Sequence, residues 1–203
     1  MPEPIETDFI ALRKIPYTDN AVILSGIAPE HGRLGFIVRG ASSRRDFPLL
    51  DIFRLLHVQF VPGRESLGTL RTADLVEDFS RLAGDYDAYR AASWIAAFSL
   101  LNVMPMLPHP LYANAVEVAL RRLANGTHAP DAVRTCVAVA FLFEEGWLAH
   151  AIRTERASEQ CRQLLEMAAG RPGPDLTPES WKRQLDWSLG LLLANDCRLP
   201  ETT

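Results

Sequence analysis

The chain has 203 residues, 48% hydrophobic, 23% charged and 8% aromatic, with a formal net charge of −4. This is the composition of an ordinary soluble globular protein, long enough for one large domain or two small ones. No window reaches the roughly eighteen apolar residues of a membrane span. The acidic start M-P-E-P-I-E-T-D lacks the apolar core of a signal peptide, so a cytoplasmic location is expected.

The first eighty residues carry short runs with alternating or β-branched apolar residues: Phe9 to Ile15, Ala21 to Ile27, Leu34 to Arg39, Leu55 to Val61 and Leu67 to Leu75. Asp19-Asn20, Pro29 to Gly32 and Pro62-Gly63 separate most of them, the pattern of strands joined by turns. The longer link from Gly40 to Arg54 leaves room for a helical turn at Leu49 to Phe53. Five strands in this length suit a small closed barrel of the oligonucleotide-binding (OB) type.

Within that barrel, Ala28 to Arg45 reads A-P-E-H-G-R-L-G-F-I-V-R-G-A-S-S-R-R. Apolar residues on both sides of Pro29, His31 and Gly32 predict a hairpin, and Gly32 and Gly35 permit the sharp bends it needs. Small residues surround Arg39, Arg44 and Arg45, leaving these cations access to a polyanion. Nucleic-acid backbones are bound by cations that displace condensed counterions, so the net charge of −4 weighs against such a role. The local balance runs the other way. From Arg33 to Arg71 there are seven arginines against three acids, which predicts a modest, salt-sensitive basic patch.

After residue 80 the period becomes helical. Tyr86, Tyr89, Trp94, Ile95, Phe98 and Leu101 stripe a helix over Asp85 to Val103, ended by three prolines in the segment 104–110. Helices over Leu111 to Ala124 and Asp131 to Ala149 follow, separated by the stop signal Asn125-Gly126. A more charged helix spans Glu155 to Ala169. Thr177 as N-cap and Pro178 in the first turn open a last helix with Trp181, Leu185, Ser188 and Leu192 on one face. The fold class is thus β then α: a five-stranded OB barrel over 1–80 and a helical bundle over 81–203.

Chemistry-bearing patterns are sparse. Cys136, Cys161 and Cys197 are odd in number and widely spaced, unlike a disulfide framework or a zinc ribbon, and are expected to be idle thiols. The five histidines lack metal-ligand spacing. There is no phosphate-binding P-loop, no G-x-S-x-G elbow and no dinucleotide turn. The adjacent Glu144 and Glu145 point about 100° apart on a helix and do not converge on one reacting atom. Gly32 and Gly35 form a G-x-x-G, but inside a hairpin rather than between helices. No catalytic residue, metal or cofactor is expected.

Several stretches together resemble the RecO family of bacterial recombination mediators: Phe9 to Arg13, Tyr17-Thr18-Asp19-Asn20-Ala21, Pro29 to Leu34, Arg39-Gly40-Ala41, Leu50 to Phe53, Leu67 to Leu70, and Phe141 to Gly146. The likeness covers about the first 100 residues well and the rest loosely. It implies a non-enzymatic protein of DNA repair and recombination that binds single- and double-stranded DNA and anneals complementary strands. It further implies a RecR-type partner, help in loading the RecA recombinase, and capture of the acidic C-terminal tail of single-strand binding protein. Carried onto this chain, Arg33 and Arg39 match basic motif positions, and Arg44 and Arg45 complete the DNA candidates. Relatives carry a denser basic run after the [KR]-G-A motif, so weaker DNA binding is expected, and no four-cysteine zinc module is possible here. Arg121, Arg122 and Arg134, beside apolar helical faces, are the candidates for an acidic peptide end, because guanidinium groups pair bidentately with carboxylates. The alternative is a protein-interaction adaptor in the same pathway with weak or no direct DNA binding.

Overall fold

The computed structural model describes residues 3–40, 50–63 and 67–201. Five strands come first: β1 Ile5–Thr18, β2 Ala21–Ala28, β3 Gly32–Arg39, β4 Arg54–Val61 and β5 Leu67–Asp78. After a 3-10 turn, Ser80–Gly84, come six helices: α1 Tyr86–Asn102, α2 Pro110–Ala124, α3 Pro130–Glu144, α4 Leu148–Ala151, α5 Glu155–Ala168 and α6 Pro178–Ala194. Each expected strand is present, β1 and β5 being longer than their apolar runs. The described part of the expected helical turn, Leu50 to Phe53, is not helical: it is irregular and bends at Ile52 and Phe53, with Phe53 at φ 56°.

The strands close into a barrel in the order β1-β2-β3-β5-β4, the five-stranded OB arrangement. β3 and β5 pair in parallel, and the other neighbours are antiparallel. Alternation explains the interior: Phe9, Leu24, Leu34, Phe36, Val38, Leu56, Val58 and Phe60 point inward and form one cluster. The Phe36 ring lies 4.9 Å from Phe9 and 5.1 Å from Phe60, edge-on and tilted, as aromatic quadrupoles prefer. Arg33, Ile37 and Arg39 alternate with the inward residues of β3 and therefore take its outer face.

Two compact units result, Met1–Ser80 with Val103–Ala113, and Arg81–Asn102 with Asn114–Thr203. In the first, the segment after α1 returns to the β2–β3 hairpin. The Arg33 amide donates to the Met104 carbonyl at 3.1 Å and the His109 amide donates to the Pro29 carbonyl at 2.8 Å. Gly32 sits between them at φ 59°, and a Cβ there would lie 2.3 Å from the carbonyl oxygens of both Met104 and Leu107. Glycine is thus required twice, by backbone conformation and by space.

In the second unit α3 is buried on nearly every side, from Ala132 to Leu142, and packs against α1, α5 and α6. The α1 stripe is only partly as expected. Trp94, Ile95 and Phe98 are buried, but Tyr86, Tyr89 and Leu101 are exposed, because Ala88, Ala91, Ala92 and Ala96 supply the rest of the packed face. Small side chains let a neighbouring element approach, which an apolar-stripe count underweights. The helix expected to run to Ala149 stops at Glu144: Gly146 adopts φ 77°, and the Trp147 amide donates back to the Leu142 carbonyl at 2.9 Å. That is a Schellman-type stop. Gly126, at φ 62°, ends α2 the same way, with the Thr127 amide on the Arg122 carbonyl. Thr177 caps α6 by accepting from the Ser180 amide, and Trp181, Leu185, Ser188 and Leu192 form its buried face.

Replacing Gly32 by Ala is expected to destabilise the protein by at least about 1–3 kcal/mol from the left-handed backbone alone. Thermal unfolding of the variant should show a clearly lowered midpoint, and an unchanged midpoint would contradict the tight return of the 103–113 segment onto the hairpin.

Candidate nucleic-acid interface

Arg33 and Arg39 share the outer face of β3, opposite Ile27 and Ala21 of β2. Six residues of extended chain separate them, about 20 Å, so they span a track along the strand rather than a single pocket. Arg33 is half-buried, and Arg39 is exposed with no carboxylate paired to it among the described residues. Arg44 and Arg45 lie outside the described residues. Elsewhere in the barrel, Arg54 pairs with Asp78 at 3.5 Å and Lys14 with Asp51 at 3.7 Å.

The opposite polarity gathers on β1, β4 and β5. His57 Nδ1 lies 2.8 Å from Asp8 Oδ1, Gln59 Nε2 donates to Glu6 Oε1 at 3.0 Å, and Asp74 is the register partner of His57 on β5. The hydrogen bond to Asp8 raises the His57 pKa, with the charges of Asp8, Glu6 and Asp74 adding to it. An acidic surface repels phosphate. The acids Glu6, Asp8 and Asp74 thus lie around His57, while Arg33 and Arg39 lie on the outer face of β3.

In the helical unit the three expected arginines have separate surroundings. Arg121 pairs with Glu117 one turn back at 2.7 Å. Arg122 donates to the Arg171 carbonyl at 2.7 Å, and burial lowers its pKa. Arg134, in the second turn of α3, lines a cavity of about 370 Å³ together with Asp87, Arg90, Trp94 and Asp131, which Arg121 and Arg122 do not reach. Its guanidinium stands 4.6 Å over the Trp94 ring, which stacks on Phe98 at 5.2 Å. Asp131 is 3.6 Å away, and the buried Nε has no hydrogen-bond partner among the described residues. Burial is the main cause of a lowered Arg134 pKa.

The cavity sets Arg134 and Arg90 beside the Trp94 ring, and each arginine is paired within the lining, Arg134 with Asp131 and Arg90 with Asp87 at 3.3 Å. Arg90 was not among the residues singled out from the sequence. Its signal was there, four residues ahead of Trp94 and so one helical turn away on the same side. Pro200 and Glu201 form part of the rim. Asn102 anchors that segment, since its Nδ2 donates to the Arg198 carbonyl at 2.9 Å and its Oδ1 accepts from the Arg198 amide at 2.8 Å.

Nucleophilic thiol chemistry finds no support. All three cysteines are buried, and burial pushes the Cys136 thiol up to about 12 and the Cys197 thiol up to about 11. Reactive thiols need the opposite shift. Among the described residues no helix is long and apolar enough to cross a membrane.

A closed five-stranded barrel in the order β1-β2-β3-β5-β4 defines an OB-fold domain. Residues 1–79, which hold the barrel, match the family model described as "Recombination protein O N terminal", so this part of the chain is similar to the N-terminal domain of the RecO family. Two curated relatives, the DNA repair protein RecO of Aliivibrio fischeri strain MJ11 and that of strain ATCC 700601 / ES114, are each 30% identical over 136 residues. The match takes in 66% of this chain and 56% of each relative, so the chain spans little more than half the length of the relatives it matches.

Because the His57 pKa is raised, the Asp8–His57 contact stabilises the fold fully below the ordinary histidine value and loses that contribution as pH rises through the raised one. Asp8→Asn is expected to bring the His57 titration midpoint down toward its ordinary value, read from the imidazole proton shifts by NMR. A midpoint that did not move would remove Asp8 as the cause.

Proposed function

We propose that this protein is a non-enzymatic DNA-repair mediator that holds single- and double-stranded DNA by its phosphates along the β3 side of the barrel. The observation that carries this reading is the exposed Arg39, which has no carboxylate partner among the described residues, on the same outer face as Arg33 and set against Glu6 and Asp8 of β1 and Asp74 of β5. Arg44 and Arg45 continue the basic track in sequence. Neutralising phosphates on two strands lowers their repulsion, which favours annealing of complementary DNA. In the same reading the barrel is the DNA-binding domain and the helical half holds protein partners. A RecR-type protein assists in placing RecA on strands covered by single-strand binding protein. The acidic tail of that protein enters the Arg134 cavity, with its aromatic end against Trp94 and its carboxylates toward Arg134 and Arg90.

Binding of this kind has little sequence preference and falls steeply with salt. In a salt-titrated series with a labelled single strand, the wild-type chain should bind at low salt. Arg39→Gln should weaken binding to single and double strands alike and reduce the salt slope by about one. No binding at the lowest salt would defeat the direct DNA role. The adaptor reading draws on the pairing of Arg54 and Lys14 with acids, which leaves fewer cations for DNA. It predicts capture of a protein partner that persists when Arg39, Arg44 and Arg45 are changed to glutamate.

For the tail, a short acidic peptide ending in phenylalanine should bind the full chain, and Arg134→Ala should weaken it about tenfold or more, the worth of a charged hydrogen bond. Fluorescence polarisation reads this directly. Equal affinity for the variant would place the tail elsewhere.

A further inference from the structure

The end of the β1–β2 hairpin carries a second recognition element beside Arg39. In the register of these strands Pro16 faces Val22 and Thr18 faces Ala21, so Tyr17 is the extra residue of a β-bulge and has no cross-strand partner. Bulges redirect a side chain away from its regular place on the sheet. Here the redirected residue is a tyrosine 57% exposed to solvent.

Tyr17 lines a cleft of about 320 Å³ with Thr18, Asn20, Ala21, Arg39 and Gly40. That volume is at the lower end of the range that takes a small molecule. The cleft is built by pairing across three strands: Thr18 is opposite Ala21, and Ala21 is opposite Arg39. Two strand spacings, about 10 Å, therefore separate the β1 side of the cleft from the β3 side. The Gly40 amide donates to the Asn20 carbonyl at 2.9 Å, and Gly40 turns the chain at φ 71°, which ties the two sides together. Among the described residues neither the Tyr17 ring nor the Arg39 guanidinium has an intramolecular partner, whereas the exposed Tyr86 ring is already covered by Arg90.

An unengaged aromatic face and an unengaged guanidinium across one small cleft match the two chemically distinct parts of a nucleotide. We propose that this cleft holds one unpaired nucleotide of a single strand, its base stacked on Tyr17 and its phosphate at Arg39. The inference rests on the DNA-binding reading above and sharpens it. Every base has a π-face, so such a site tolerates any sequence. In a duplex the bases are stacked on one another and closed to Tyr17, so this site separates single strands from duplexes, which phosphate contacts alone do not.

The test uses the full chain and three probes at fixed low salt: a single-stranded oligonucleotide, the same strand with abasic positions, and a duplex of equal length. Tyr17→Ala should weaken single-strand binding about tenfold or more, with duplex affinity and thermal midpoint unchanged. Tyr17→Trp should retain the affinity. Wild type should bind the abasic strand about as weakly as Tyr17→Ala binds the intact one, a readout that a structural role for Tyr17 does not produce. If Tyr17→Ala binds the single strand like wild type, or loses single strand and duplex equally, base stacking at Tyr17 is wrong while the DNA-binding reading stands. Failure of wild type to bind any probe overturns both.

Discussion

Three parallel residue pairs between β3 and β5 close the barrel: Gly35 with Leu67, Phe36 with Gly68 and Ile37 with Thr69. Gly68 is where the seam meets the core. A Cβ there would stand 3.1 Å from the Phe60 ring and 3.3 Å from the Phe36 ring, so the absent side chain is the space the two rings use. Once those rings lock Phe36 inward, strict alternation sends Arg33, Ile37 and Arg39 outward. A slip of one residue would exchange the two sets and bury the arginines. The polarity of the outer surface is thus a consequence of how the interior closes.

That polarity reconciles an acidic chain with the polyanionic ligand proposed for it. A formal charge of −4 describes the molecule at distances where its charges blur together. At contact range, within a Debye length of about 8–10 Å, the local arrangement governs. There the acids Glu6, Asp8 and Asp74 cluster around His57 and the arginines run along β3. In the proposed reading, the net charge acts against loose, unoriented association, while the β3 side is the part that attracts phosphate.

Much of this was legible in the residues themselves. Alternation located all five strands, Thr177-Pro178 opened α6 where expected, and Asn125-Gly126 ended α2. These signals are local, and the physics that reads them is local as well. What escaped depends on residues distant in sequence. Tyr86, Tyr89 and Leu101 carry the helical period yet face water, because four alanines of α1 make the close contacts. The bulge at Tyr17 follows from the pairing of β1 with β2 and leaves no mark in composition. Arg90 gains meaning when Trp94 and Arg134 are brought to one cavity. The end of α3 was misplaced for a simpler reason: Trp147 and Leu148 continue the apolar pattern past Gly146, and the glycine conformation overrode it.

The return of Val103–Ala113 to the hairpin also bears on how the chain is made. A ribosome delivers the five strands first, but the Arg33 amide and the Pro29 carbonyl gain their backbone partners when Met104 and His109 emerge, after the whole of α1. The barrel is therefore not finished at the end of its last strand. A nascent chain paused between residues 80 and 103 presents a hairpin whose Arg33 amide and Pro29 carbonyl are still bonded to water and whose turn at Gly32 is still open, and the α1 helix acts as a spacer that must be passed before the first unit completes itself.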